Sequence, residues 1–413
     1  MGQDAVAPVG ARERLFELDV IRGFALFGVL WMNLFEHAEL AMPPGMIDAL
    51  PTARIDEVVR FFTVWLAAGK AQALFSFLFG LGFALFLERA EASGSDGMRL
   101  YLRRLTVLLL IGVAHMFLLW VGDILNSYAL MGFALVLTRR WPGWLLLLLG
   151  IALTFSTLWL RLLSDFWLVP PGQQPWWAAL SEQGAIERYP VFMGHDYIAY
   201  VRALARSWWV EIYSNPIGVI YLAWILGRFM IGSWIYRQGW MQDTARHAAG
   251  FKRWAAILLP LGLALALVGP MLVQLQVRAE APWSYGLSVL GRSMLIILPL
   301  GYAAAIVVLC QRDVWRNRFD GLAAVGRMAL TNYLTQSLVF FFVLYGFGLG
   351  LLPYAGATFC LGLAVIVFGA QIVFSRWWLA RYRFGPAEWL WRSLTYGRRQ
   401  PMRRVVGQSI AAA

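Results

Sequence analysis

The stretch Leu105-Thr-Val-Leu-Leu-Leu-Ile-Gly-Val-Ala-His115-Met-Phe-Leu-Leu-Trp-Val-Gly-Asp123-Ile-Leu125 decides the architecture. It is apolar over the length that crosses a hydrocarbon core, about 17 to 25 residues, and it turns at Gly122-Asp123 into a second apolar run. A membrane hairpin is the expectation. Within it His115 lies among aliphatic side chains. An imidazole in that setting needs a partner or a wet cavity, because burying an unpaired polar group costs several kcal/mol.

Working outward, the same pattern recurs. The chain has 413 residues, 60% hydrophobic and 14% charged, against roughly 25% charged in soluble domains. This predicts an all-α, polytopic membrane bundle. Ten spans are expected, at 20–37, 70–88, 104–121, 124–139, 143–161, 210–235, 254–277, 286–310, 321–349 and 355–379. A further apolar piece, Phe61 to Ala68, is too short to cross and reads as re-entrant or interfacial. The net charge of +12 falls in short loops, so it reports topology rather than nucleic-acid binding. With the amino terminus in the cytoplasm, the clusters at Arg89/Arg99/Arg103/Arg104, Arg139-Arg140, Arg312/Arg316/Arg318 and the tail all lie inside. Both termini are then cytoplasmic.

Residues 1–19 form a cytoplasmic segment, 20–379 a transmembrane domain with an external loop at 162–207, and 380–413 a basic cytoplasmic tail. The first apolar segment has no signal-peptidase pattern and is read as a retained anchor. Pro170-Pro-Gly-Gln-Gln-Pro-Trp-Trp177 cannot be helical throughout. The tail after Tyr396 reads as disordered and held near anionic lipid. Cys310 and Cys360 lie in apolar runs and suit neither a disulfide framework nor a metal cluster, so no metal is expected. Membrane lipids are the expected surroundings, and a homo-oligomer is compatible with the sequence.

Polar groups inside apolar runs carry the functional reading. Asp19 and Arg22, three apart, face the same way at the inner end of the first span and can neutralise each other or clamp an anionic ligand. His115 and Asp123 are eight apart, about 12 Å of rise and about 80° of rotation on a straight helix. That spacing argues against a direct dyad unless Gly122 bends the end. His37 is the rival imidazole, whereas His195 and His247 lie in loops. Lys70, Asn126 and Arg228 could line a chamber with His115. Arg327 begins a motif whose Asn332, Tyr333 and Gln336 share one helix face, either for a ligand or as helix glue. Gly385-Pro-Ala-Glu-Trp-Leu-Trp-Arg392 reads as an interfacial anchor.

Together these segments resemble the YeiB-type family of bacterial integral membrane proteins. The resemblance rests on Leu18-Asp-Val-Ile-Arg-Gly23, Leu74-Phe-Ser-Phe-Leu-Phe-Gly80, the Gly112–Leu125 segment, Gly326-Arg-Met-Ala-Leu-Thr-Asn-Tyr333 and Gly385–Arg392, in that order. The family is similar at superfamily level to transmembrane acyltransferases, including O-antigen acetylases and the lysosomal heparan-glucosaminide acetyltransferase. Those enzymes carry an acyl group from cytoplasmic acyl-CoA to a sugar or other acceptor. In the O-antigen type a His follows the start-motif Arg by eleven residues, and here that position is Asn33. The resemblance therefore implies acyl transfer from acyl-CoA with the base left open between His115 and His37. Asp19, Arg22 and Arg327 would hold donor phosphates. Asn33, Asp123 and Asn126 would meet a carbohydrate or other envelope acceptor, and Lys70 and Arg228 would stabilise developing charge. A transporter or flippase using the same chamber, and a non-catalytic membrane sensor, are the alternatives. The implied home is the bacterial plasma membrane.

Overall fold

The computed structural model describes residues 15–92, 97–156, 176–209, 216–268, 270–271 and 282–404. Their regular structure is helical, apart from one isolated antiparallel bridge between Tyr382 and Arg403. In chain order the helices are α1 (Phe16–Ala41), α2 (Ala53–Leu66), α3 (Lys70–Ala92), α4 (Gly97–Leu118), α5 (Ile124–Leu137), α6 (Gly143–Thr154), α7 (Trp176–Met193) and α8 (Tyr197–Ser207). They continue as α9 (Pro216–Arg237), α10 (Ala248–Ala266), α11 (Pro282–Cys310), α12 (Asp313–Arg318), α13 (Asp320–Arg327), α14 (Ala329–Leu344), α15 (Ala357–Arg381) and α16 (Pro386–Tyr396).

Seven stretches among the described residues are long and apolar enough to cross a membrane, and α5, α6 and α14 are shorter apolar helices. Each of the ten expected spans is thus occupied by helix, and the protein is a polytopic helical bundle. Two details differ from expectation. The span at 321–349 is broken into α13 and α14 at Met328, whose φ of −113° and ψ of 31° leave helical geometry. The apolar piece at 61–68 belongs to α2, which joins α3 through a tight break at Gly69 (φ 72°). Lys70 stands at that break, and its ammonium donates to the carbonyl of Val64 near the end of α2. Cations are favoured at helix C-termini, where carbonyls lack amide partners.

Close helix crossings use small residues. A Cβ on Gly23 would fall on the carbonyl of Leu322, and one on Gly326 would fall on the carbonyl of Asp19. These two glycines let α1 and α13 touch backbone to backbone, which sets Asp19 and Arg22 beside Arg327. Gly80 and Gly232 do the same for α3 against α9.

The segment expected as an external cap is ordered helix where it is described. Arg188 on α7 donates to Ser207 Oγ at 2.9 Å and to the carbonyl of Leu40 at the end of α1, also at 2.9 Å. Its proline-rich beginning, residues 170–175, lies outside the described residues. The tail is not free up to Arg404 either: Arg383 N donates to Met402 O at 2.9 Å, and Trp389 Nε1 to Gln400 O at 2.7 Å. The remainder of the tail lies outside the described residues.

Candidate functional site

α4 ends at Leu118, and the amides of Leu119 and Trp120 both fold back onto the His115 carbonyl, at 2.8 and 3.1 Å. Asp123 N then bonds Trp120 O at 3.2 Å. This reversal replaces the straight helix assumed from spacing and returns Asp123 over His115. The two side chains meet directly, with His115 Nδ1 2.8 Å from Asp123 Oδ1, and both are buried. The sequence-based expectation of two separate stations is therefore corrected to a dyad.

Asp123 is also the N-cap of α5. Its Oδ2 accepts from Asn126 N at 2.9 Å and from Asn126 Nδ2 at 3.1 Å, the bonding that favours Asp at this position. Asn126 thus orients the carboxylate. Gly112 permits the hairpin to close, since a Cβ there would collide with the backbone of Leu125 and Asn126. Tyr333 on α14 completes the cluster, its hydroxyl donating to Asp123 Oδ1 at 3.4 Å and accepting from Ile124 N at 3.3 Å. A carboxylate oxygen can only accept, so Nδ1 carries the imidazole proton and the lone pair lies on Nε2. That Nε2 is buried and has no hydrogen-bond partner.

The rival imidazole lies near the dyad. His37 Nδ1 is 2.8 Å from the Tyr345 hydroxyl, its ring stacks on Trp120 at 3.2 Å between centroids, and its Nε2 is likewise buried without a partner. His37 is also within electrostatic range of His115. Trp120, which spacing arguments overlooked, therefore links both histidines: its backbone caps α4 and its ring faces His37.

Below the dyad, toward Arg22, a cavity of about 700 Å³ opens. Its upper wall includes Ile124, Leu125, Tyr128 and Tyr333; its stem is Leu26, Val29, Phe75, Phe79 and Leu108. At the far end Arg22, Arg89, Arg104, Arg327, Arg383 and Arg392 line it, against the carboxylates of Asp19 and Glu388. Arg22 Nη1 bonds Asp19 Oδ1 at 2.8 Å. Arg104 lies 4.0 Å from the Trp391 ring centroid, and Trp391 Nε1 donates to Arg104 O at 2.9 Å, so α16 is pinned to α4. Glu388 does not pair with a basic loop. It accepts from Leu330 N at 2.7 Å, Thr331 N at 3.1 Å and Thr331 Oγ1 at 2.6 Å, holding the start of α14. Burial pushes its carboxyl pKa up, and the three donors only partly oppose this. The element expected as an interfacial anchor is therefore one wall of the cavity.

Other expected site residues have structural partners. Asn332 Nδ2 donates to Ser375 Oγ at 3.0 Å, and Gln336 Nε2 to Gln371 Oε1 at 2.9 Å, tying α14 to α15. Lys70 is engaged at the helix break. Asn33 is half-buried, and Arg228 is buried on α9 and does not itself line the cavity. The cavity residues missed in the sequence carried a partial signal. Leu26 and Val29 continue the helical spacing of Asp19 and Arg22, which the sequence did single out, and the same stripe runs on to Asn33 and Glu36. Arg104 and Arg392 carried none, because they meet the cavity only through the packing of α4 and α16.

Residues 235–398 match the family described as protein of unknown function DUF418. The chain is 32% identical to the uncharacterised protein YxaH of Bacillus subtilis (strain 168), over 96% of this chain and 98% of that one. It is 28% identical to an uncharacterised 39.9 kDa protein from the amylase 3' region of Bacillus acidopullulyticus, over 96% and 97%. Against the uncharacterised protein YeiB of Escherichia coli (strain K12) it is 31% identical over 93% and 96%. With the motifs around the dyad and the basic cavity falling inside these near-full-length alignments, the chain belongs to the YeiB-like family and itself carries the DUF418 region.

Proposed function

We propose that the protein is an acyltransferase of the bacterial plasma membrane, moving an acyl group from acyl-CoA to a carbohydrate or other envelope acceptor. The observation that carries this reading is the cavity, which runs from six arginines to the neighbours of the His115–Asp123 dyad. Guanidinium groups match phosphate oxygens in geometry and charge, so the basic end suits the phosphates of the donor. Arg104 and His115 are eleven residues apart on α4, about 16 Å of helix rise. A phosphopantetheine arm is about as long as five extended residues, roughly 17 Å. Phosphates at the arginines therefore bring the thioester to the imidazole.

In this scheme an acceptor hydroxyl attacks the thioester carbonyl while His115 Nε2 removes its proton. The new carbon–oxygen bond forms, the carbon–sulfur bond breaks, and the proton passes from the imidazolium to the departing thiolate. Asp123 keeps the ring in the tautomer with the lone pair on Nε2 and stabilises the imidazolium. The Nε2 of His37, near the dyad, is the second candidate base.

The test is acetyl-CoA binding by the purified protein in lipid nanodiscs, followed by thermal shift and calorimetry. Binding is expected, weakened at least about tenfold by the pair Arg22→Gln with Arg327→Gln, since a hydrogen bond to a charged group contributes roughly 1.5–3 kcal/mol. Absence of binding at millimolar acetyl-CoA, or affinity unchanged in the double variant, removes the reading.

A further inference from the structure

Arg228 on α9 is 1% exposed. Its Nη1 reaches the neutral Gln72 Oε1 at 3.5 Å, and its Nε has no hydrogen-bond partner. No ion pair is formed by Arg228 among the described residues. Its guanidinium instead lies 5.8 Å from the Trp224 ring centroid, and Arg292 of α11 approaches the same ring at 5.3 Å. Two cations thus flank one indole in the membrane interior, in mutual electrostatic range. A buried charge without a partner costs several kcal/mol even after relaxation. Cation–π contact with Trp224 offsets only about 0.5–2 kcal/mol of that. An oxyanion bound to the fork of Arg228 would remove the deficit.

The position relates this site to the dyad. Tyr221, one helical face along α9 from Trp224 and Arg228, is within electrostatic range of Asp123, Glu36, Tyr128 and Arg228. Tyr128 in turn bonds Ser76 Oγ at 2.8 Å and Gln72 O at 3.1 Å. Gln72 is therefore shared between Arg228 and the Tyr128 wall of the donor cavity. Glu36 approaches Tyr221 from α1 but makes no ion pair with Arg228, so it leaves that cation uncompensated.

We infer that the molecule receiving the acyl group is an anion, with a carboxylate or phosphate seated on Arg228 beside Trp224 while its hydroxyl faces the dyad. The word acceptor rests on the acyl-transfer reading; the anion site does not. The probes are glucuronate and glucose 6-phosphate against glucose, titrated calorimetrically into the protein in nanodiscs, with acetyl-CoA as a control for the fold. Wild type should bind at least one anionic sugar tenfold or more tighter than glucose. Arg228→Gln should abolish the difference while acetyl-CoA binding persists. Equal binding of glucose and both anionic sugars by wild type, or a preference unaltered in Arg228→Gln, overturns the inference. If Arg228→Gln also loses acetyl-CoA binding, Arg292→Gln replaces it, and a glucuronate affinity less than threefold weakened is then the overturning result. If wild type prefers the anionic sugars but binds no acetyl-CoA, the anion site stands and its role as acceptor site falls with the acyl-transfer reading.

Discussion

Replacing Asp123 by Asn separates the two jobs of that side chain. The amide oxygen can still cap α5 through Asn126 N, the bond now made at 2.9 Å, and Asn ranks with Asp as an N-cap. What changes is the 2.8 Å contact to His115. If the oxygen stays on the cap, the amide nitrogen faces His115 Nδ1 and can only donate, so the imidazole proton moves to Nε2. Loss of the charge-assisted bond costs about 1.5–3 kcal/mol of stability at most. The effect on catalysis is larger: trapping a catalytic imidazole in the wrong tautomer lowers turnover about 10⁴-fold in the Ser-His-Asp template, equivalent to about 5 kcal/mol of barrier.

Asp123→Ala instead removes the cap, about 1 kcal/mol, and leaves buried donors unsatisfied, a further 1–3 kcal/mol or so. The Asn variant should therefore be the more stable of the two, because it keeps the cap, yet still be severely impaired in turnover. Release of CoA thiol in nanodiscs, with an envelope extract as acceptor, gives turnover; thermal unfolding in the same particles gives stability. ¹⁵N NMR of labelled histidine reports the tautomer independently of activity. Turnover of Asp123→Asn within about tenfold of wild type, or an unchanged tautomer, would refute the role given to the dyad.

Two more outcomes follow from the cavity walls. Because burial raises the Glu388 pKa, the folded state holds this proton to higher pH than the unfolded chain. Its contribution is present below the ordinary carboxylate value, about 4.3, and is lost as pH rises through the raised value. Thermal unfolding midpoints across that window should fall more steeply with pH for wild type than for Glu388→Gln; equal slopes contradict the assignment. Gly23→Ala should push α1 off α13, since its Cβ meets the Leu322 carbonyl. Overpacking of this kind costs roughly 1–3 kcal/mol, and the displaced Arg22 should weaken acetyl-CoA binding. A variant with wild-type midpoint and affinity shows that the crossing yields at no cost.

The spans were legible because each is an uninterrupted apolar run, and polar residues within such runs named both histidines, Asp123, Arg228 and the first-helix pair. Spacing failed at Asp123, where a straight helix was extrapolated across a chain reversal. Gly122 and the Asp-x-x-Asn cap at Asp123–Asn126 were the local signs of that reversal. Lys70 was legible as a polar group at the start of an apolar run, whereas its bond to the Val64 carbonyl depends on how the chain folds at the break before it. Glu388 and Arg104 were beyond local reading: one holds a helix 57 residues upstream and the other stacks on an indole 287 residues downstream.

The basic cavity draws its lining from both ends of the chain, Asp19 and Arg22 of the first helix and Glu388, Arg392 and Tyr396 of the last described one. The order of synthesis then sets the moment at which this cavity is complete. Until α16 leaves the ribosome and folds back against α4, the nascent chain holds the dyad hairpin without the cavity wall that Glu388, Arg392 and Tyr396 supply. A chain cut short before α16 would keep the hairpin and lose Glu388, Arg392 and Tyr396 from the cavity lining.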